Sequence, residues 1–454
     1  MNMRWSWLLL GGCSTGNTDS YSPEELPGPP LGVPHHQPAP QIPGEMNLIG
    51  EKSPDSKSIL IISWDTVRQD MAGLNENPGI RELQSQGTSF TQAMTHFPET
   101  GISHWSLMTG VEPEIHGNVP GSGGSRYKGP TLSEIAKEMG YSTAAFIGGI
   151  TLTDQATGLG RGFDRYDDQW DWMKKDVRPG AELVSRASTW MESQNQPFFA
   201  FVHFFEAHHP YEMQPGHEKA PSSGPRPADV EQQVAQYKSE IAYLDSMLPR
   251  LMEAAGEETV IVLTSDHGES FEHDYLYNHR ESLWDSTMNI PLILRGPGMS
   301  PGSVSNRLVA LTDVLPTVLE MAGLPLDSKI QGQSILGDAP PREFVVALTD
   351  PWSGGVKRTA LRSLTHKVIW GQEETPIAFN VQIDPQEINP LEALPQGFEE
   401  ALKEHTQGVL NAAGLQHEEL PTRFLAEDEV KRLQSLGYLG APPGPPNPPH
   451  PSHP

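Results

Sequence analysis

The chain has 454 residues, with 31 lysines and arginines against 58 aspartates and glutamates and a formal net charge of −27. That balance excludes a protein held to nucleic acid through its phosphates, which needs a basic surface to displace counterions. The single cysteine, Cys13, excludes an internal disulfide and a cysteine-based zinc site, while the length admits two or three domains or one large α/β unit with an appendage.

Residues 1–13 open with Arg4, pass through the apolar run Trp5 to Leu10 and close on Gly11, Gly12 and Cys13. The order resembles a bacterial lipoprotein signal, with a run shorter than the roughly 7 to 15 residues of an ordinary signal peptide. The resemblance implies a lipid on Cys13 and a place on the bacterial cell envelope, periplasmic or surface-exposed. No other stretch approaches the roughly 20 apolar residues that span a bilayer, so membrane attachment is expected through that anchor, with two acyl chains sufficient to hold it. Residues 14–56, rich in proline, glycine, histidine and serine without apolar periodicity, read as a disordered tether.

At Ser58 the character changes. Ser58 to Trp64 is a nearly continuous apolar, β-branched run ending in Asp65, as expected of a strand covered on both faces. Ser142 to Gly148, Pro197 to Phe205 and Thr259 to Ser265 have the same character. Helical patterns separate them, including Thr131 to Met139, where Glu134 is placed for a capping box, and Val230 to Ala255. The alternation predicts a mainly parallel sheet covered on both faces, with ligands at the carboxyl ends of its strands. Asp65, His208 and Asp266 fall at or just after such ends. The catalytic domain is expected over 57–341. From 342 to 440, the short strand candidates Phe344 to Leu348, Ala360 to Leu364 and Lys367 to Trp370 and a polar helical stretch predict a smaller subdomain. Residues 441–454 read as a disordered proline-rich tail.

Asp266 and His267, side by side after a hydrophobic strand and before a turn glycine, are natural ligands for a divalent cation. Asp65 ends an apolar strand and must be solvated, paired or metal-bound, or else cap the next helix. Thr100 and Gly101 precede a short helical stretch. Thr100 is either an ordinary N-cap or a hydroxyl placed where backbone N–H groups favour negative charge.

Taken together, these pieces resemble the sulfatase and alkaline phosphatase superfamily. Thr100, Ser103-His104, Ser106-Leu107 and Thr109-Gly110, followed by Pro113 and His116-Gly117, look like its nucleophile signature. Asp65-Thr66-Val67-Arg68 resembles the bacterial subgroup carrying Asp-Thr-Leu-Arg after the first strand. Gly160 to Tyr166, Pro291 to Gly298, Thr312-Asp313, Asp384-Pro385 with Glu387 and Asn389, and Leu436-Gly437-Tyr438 extend the likeness from about Lys57 to Gly440.

The resemblance implies an α/β sandwich with a large central mixed sheet and a small C-terminal α/β subdomain. It also implies a metal-dependent hydrolase, or transferase, acting on phosphate or sulfate esters. The familiar sulfatases oxidise a cysteine or serine inside a motif with proline two places on and arginine four places on. Thr100, Ile102 and His104 stand there instead, so formylglycine chemistry is not expected, and a threonine nucleophile, by analogy with related phosphodiesterases, favours phosphoesters. Asp65, Thr100, Asp266 and His267 are then the expected ligands of a divalent ion, Mn, Zn, Ca or Mg. His208 and His279 are expected to serve the leaving group or a second metal, and His104 either contacts the substrate or orients Thr100. His209 and His273 read as solvated loop histidines. Expected partners are an anionic ester substrate and, through the lipid, a membrane, with no nucleic acid and a monomeric or dimeric state. A catalytically inactive protein binding anionic glycans or lipids is the competing reading.

Overall fold

The computed structural model describes residues 44–401 except 75, 119–123, 171–176, 222–225, 274–275, 338–339, 350–357, 372–373 and 399. Cys13 and the lipoprotein-like segment, most of the tether, the Leu436-Gly437-Tyr438 motif and the proline-rich tail lie outside the described residues.

Among the described residues, fourteen strands form three sheets: β1 (Leu48–Ile49), β2 (Ile59–Trp64), β3 (Thr88–Met94), β4 (Ser142–Ile147), β5 (Arg165–Asp167), β6 (Phe198–Phe204), β7 (Val260–Thr264), β8 (Asn289–Arg295), β9 (Ser303–Ala310), β10 (Leu326–Asp327), β11 (Val345–Thr349), β12 (Arg358–Arg362), β13 (Lys367–Gly371) and β14 (Ile377–Phe379). The large sheet has eight strands in the order β5-β4-β6-β2-β7-β8-β3-β9. Its first five strands are mutually parallel, β8 runs antiparallel to β7 and β3, and β3 is parallel to β9. The sheet is therefore mixed. The four apolar runs read from the sequence become β2, β4, β6 and β7, the parallel strands around its centre.

The helices are α1 (Pro78–Gln86), α2 (Thr100–Thr109), α3 (Pro113–His116), α4 (Leu132–Glu138), α5 (Asp154–Thr157), α6 (Gly180–Glu192), α7 (Ala228–Ala255), α8 (Asp285–Met288) and α9 (Val314–Ala322). Side chains alternate across a strand, so β2 feeds two cores. Leu60, Ile62 and Trp64 pack with α1, α6 and α7, whereas Ile59 and Ile61 pack with α2, α4 and α9. The capping box at Thr131 forms as expected: Glu134 N–H donates to the threonine hydroxyl, and Thr131 N–H donates to the Glu134 carboxylate at 2.9 Å.

The smaller sheet, β11-β12-β13-β14, is antiparallel throughout. Val345, Ala347, Ala360 and Ile369 from it meet Met94 on β3 and Leu308 and Ala310 on the edge strand β9. Residues 44–56 depart from the tether reading. β1 pairs antiparallel with β10, Ser53 N–H donates to the Gly323 carbonyl at 2.8 Å, and Lys52 Nζ reaches the Met139 carbonyl at 2.7 Å. The polar composition of this stretch hid those long-range partners. No described helix is long and apolar enough to cross a membrane.

Candidate active site

The two-residue period of the strands assembles the site. Ser63 and Asp65 continue the Ile59, Ile61 face of β2; His203 continues the Phe199, Phe201 face of β6; Thr264 and Asp266 continue the Val260, Val262 face of β7. All three adjacent strands thus aim polar groups at the side covered by α2. Thr66, just after β2, adopts a left-handed backbone conformation with φ 59°, rare for a β-branched residue. There its N–H donates to Asp266 Oδ1 at 3.1 Å and its hydroxyl lies 2.7 Å from the Ala207 carbonyl oxygen, which ties together the chain ends leaving β2, β6 and β7.

Helix α2 is capped by Glu99, whose carboxylate accepts the Ile102 N–H at 2.9 Å. Thr100 is therefore the first helical residue and not the cap, and its hydroxyl donates to Asp65 Oδ2 at 3.2 Å. His203 Nε2 lies 3.2 Å from the same oxygen. Asp65, Thr100, His203, Asp266 and His267 are all fully buried.

Three atoms at this point have no hydrogen-bond partner among the described residues: Asp65 Oδ1, Asp266 Oδ2 and His267 Nε2. They belong to a cluster of three residues with ligand atoms mutually within 4.8 Å. His267 Nδ1 lies 3.0 Å from the Gly268 carbonyl, an acceptor only, so its proton sits on Nδ1 and Nε2 presents a lone pair 3.3 Å from Asp266 Oδ2. Two carboxylate oxygens and one imidazole lone pair, buried and otherwise unmatched, fit a divalent cation. A second grouping, His104, His203 and Asp266, is also compact. It is excluded as a ligand set by tautomer: His104 Nδ1 faces the Thr100 carbonyl at 2.7 Å and must carry the proton there, while Nε2 takes Ser63 Oγ at 2.9 Å.

The electrostatics agree. Burial, then the neighbouring Asp266 charge, pushes the Asp65 carboxyl well above the ordinary range; burial likewise raises Asp266. Burial and the His279 charge hold His267 well below an ordinary histidine. Among the described residues no lysine or arginine pairs with either aspartate, so charge compensation has to come from outside the chain.

His208 and His279 stand to one side of this cluster. The His279 ring stacks on His267 with centroids 4.2 Å apart and meets His208 edge-on at 5.5 Å; His208 itself stacks on Phe205 at 4.4 Å. Both fall to a pKa of about 3, through burial first, then the His279 charge acting on His208 and the Arg280 charge acting on His279. At neutral pH both rings are therefore neutral.

His104 lies behind the nucleophile position with both ring nitrogens engaged by Ser63 and Thr100, which leaves no nitrogen for substrate. Of the two roles read from the sequence, this geometry corrects the substrate contact in favour of orienting Thr100. His273 departs from the solvated reading as well, since it stacks on Trp284 at 4.2 Å; His209 is exposed and stacks on Tyr277 at 5.6 Å. Sequence reasoning passed over His203, Glu99 and Glu269. Glu269 is fully buried, accepts the Tyr211 hydroxyl at 2.8 Å and lies 3.5 Å from His279 Nδ1. Glu99 and Glu269 sit inside motifs that were read for their neighbours; His203 sits in an aromatic run that looks like plain core.

Residues 57–324 match the model of the Sulfatase family. Human arylsulfatase K is 33% identical over 106 residues, 22% of this chain and 19% of that protein, so the chain spans about a fifth of the length of such relatives. The ulvan-active sulfatase of Formosa agariphila is 23% identical over 403 residues, 76% of this chain and 79% of that one. Among solved structures, the phosphonate monoester hydrolase of Agrobacterium radiobacter superposes with a TM-score of 0.64 at 19% identity, covering 82% of this chain and 98% of that chain. A 2-O GAG sulfatase superposes with a TM-score of 0.62 at 20% identity, covering 78% and 91%. These superpositions show the fold, a large mixed sheet between helical layers beside a small antiparallel sheet. With more than half of its length matched by that family's model, the chain belongs to the sulfatase family.

Proposed function

We propose that this sulfatase-family hydrolase cleaves anionic esters with Thr100 as nucleophile, and that phosphoesters are preferred to sulfate esters. The observation carrying the reading is the Thr100 hydroxyl, at the first position of α2, donating to Asp65 Oδ2 at 3.2 Å beside three unmatched ligand atoms. Asp65, Asp266, His267 and the Thr100 oxygen would hold a divalent cation, which would supply Lewis-acid stabilisation of negative charge on the attacking and ester oxygens.

The chain's own groups do the rest. Asp65 takes the hydroxyl hydrogen bond and orients the attacking oxygen, while the α2 N-terminus favours negative charge in front of it. The Thr100 hydroxyl proton passes to Asp65 as a bond forms between Thr100 Oγ1 and phosphorus, the bond from phosphorus to the ester oxygen breaks, that oxygen takes a proton and departs as the alcohol, and water then cleaves the phosphothreonine to release phosphate and restore the hydroxyl. His208 and His279 face the departing side. Neutral in the resting protein, they gain proton affinity when an anionic ester enters, and one of them donates to the leaving oxygen. His104, bonded to the Thr100 carbonyl and to Ser63, holds the first turn of the helix in place.

Threonine favours phosphorus because no side chain here matches the oxidised nucleophile of the familiar sulfatases. Lipidation of Cys13 and a place on the bacterial envelope belong to the same reading, and labelling with a radioactive fatty acid tests them. The function is tested with aryl phosphate mono- and diesters, aryl phosphonates and aryl sulfates, with Mn²⁺, Zn²⁺, Mg²⁺ or Ca²⁺ supplied. Thr100→Ala is expected to abolish turnover with cation content unchanged. Wild-type turnover of sulfates alone, or full activity in Thr100→Ala, overturns the proposal.

A further inference from the structure

His203 is a fully buried imidazole near the carboxyl end of β6, flanked in sequence by Phe201, Val202, Phe204 and Phe205. Its place is fixed by strand register: in the parallel pair it stands opposite Ser63, two residues short of Asp65 and on the same face. From there Nε2 reaches Asp65 Oδ2 at 3.2 Å, the oxygen that also accepts the Thr100 hydroxyl. Its Nδ1 has no hydrogen-bond partner among the described residues. A carboxylate only accepts, so the proton sits on Nε2 and the bare nitrogen is Nδ1. The His104 ring meets His203 edge-on, centroids 5.1 Å apart and planes at 90°, and Phe201 and Phe205 close the remaining sides at 6.5 and 6.3 Å.

Leaving one ring nitrogen dry and unmatched is unfavourable, a cost that phenylalanine, abundant in this strand, would avoid. The group that recovers it is the bond to Asp65. With Oδ2 occupied by two donors, Oδ1 is the only oxygen of Asp65 left to face the neighbouring Asp266 and His267.

We propose that His203 is a positioning residue: through Nε2–H it pins the Asp65 carboxylate so that Oδ2 serves the Thr100 hydroxyl and Oδ1 is presented to a divalent cation. The inference rests on the cation-assisted reading above and adds to it a role for a side chain outside the ligand set. Comparable partners that orient a ligand typically contribute 10–100-fold in metal affinity or activity.

The test uses two substitutions that differ by one methylene. The side-chain amide of His203→Gln reaches the position of Nε2, and that of His203→Asn the position of Nδ1. Full-length wild type and both variants are stripped of metal, checked for equal thermal midpoints, and titrated calorimetrically with Mn²⁺ and with Zn²⁺; kcat and KM are measured separately. The expected result is an affinity within about threefold of wild type for Gln, a loss of about 10–100-fold for Asn, and a fall in kcat for Asn with KM little changed. Equal affinities in the two variants overturn the assignment, as does retention in Asn with loss in Gln, which would make Nδ1 the working atom. Wild type that binds neither ion overturns it too. A Gln–Asn gradient in affinity with no turnover by wild type keeps the assignment and removes the hydrolytic reading, so the two failures are separable.

Discussion

Two buried clusters of charge in this protein handle the same problem in opposite ways. Where α8 meets the small sheet, the Asp285 carboxylate takes Arg362 at 2.9 Å and Lys367 at 2.7 Å. Lys367 also holds Glu387 at 2.5 Å, and Glu387 accepts the Asp285 N–H at 2.6 Å. Burial raises the Asp285 carboxyl, but Arg362 and Lys367 outweigh it and hold Asp285 well below the ordinary range. At the carboxyl ends of β2 and β7, Asp65 and Asp266 share a site with histidines, no lysine or arginine among the described residues pairs with either, and both carboxyls are raised. The first cluster is compensated internally and acts as a joint; the second has buried carboxylate oxygens without a hydrogen-bond partner among the described residues, and in the proposed reading a cation supplies the balancing charge.

That contrast can be broken by substitutions that have opposite signs at the two places. The largest effect is expected from Asp65→Asn, with loss of at least about 10³-fold in kcat/KM, or about 4 kcal/mol of transition-state stabilisation. In metal-stripped protein the same change removes one of two uncompensated carboxylates, so its thermal midpoint is expected to rise above that of stripped wild type. A lowered midpoint would show that Asp65 is satisfied without a cation. At the joint, Lys367→Met leaves Glu387 and Asp285 short of a partner and is expected to cost about 3–5 kcal/mol in urea unfolding, with or without metal. A cost below about 1 kcal/mol would reduce the network to the standing of a surface ion pair.

A third pair of acids gives a smaller effect of defined sign. Burial pushes Glu206 up to about 7 and, with help from the Glu206 charge, Glu240 up to about 9. Both folded-state values lie above the unfolded ones, so the stability linked to their protons is complete below about pH 4.5 and is lost as pH rises through about 7 and then 9. The slope is at most about 1.4 kcal/mol per pH unit for each group. Glu240→Gln is expected to flatten the upper part of that decline, between about pH 7 and 9, in urea midpoints. An unchanged profile would mean that Glu240 is already ionised at neutral pH.

The sequence made one half of this contrast readable. Asp65, Asp266 and His267 stood out because each breaks an apolar run at a strand end, and Thr100 because a helix begins there. The strands β2, β4, β6 and β7 were plain as uninterrupted apolar runs. β3 and β9 were not, because TSFTQAM and SVSNRLVA break up their apolar residues with polar ones and form no continuous apolar run. His203 was hidden by its aromatic neighbours: only the register of β6 against β2 reveals that it faces Asp65. The joint was illegible for another reason. Asp285 bonds partners 82 and 102 residues further along, and no local pattern announces a pair that only the folded chain brings together.

Thr66 carries a last consequence. Glycine would adopt its left-handed conformation at no steric cost, yet the chain spends a β-branched side chain there, and the hydroxyl is what it gains. That oxygen lies against the Ala207 carbonyl one residue before His208, while the amide of the same residue grips Asp266. One residue thereby links the chain just before His208 to the Asp266 carboxylate. A substitution that removes the hydroxyl and keeps the amide would loosen the first contact and spare the second, so the His208 loop could shift relative to Asp266 without any change in the side chains of the acidic cluster.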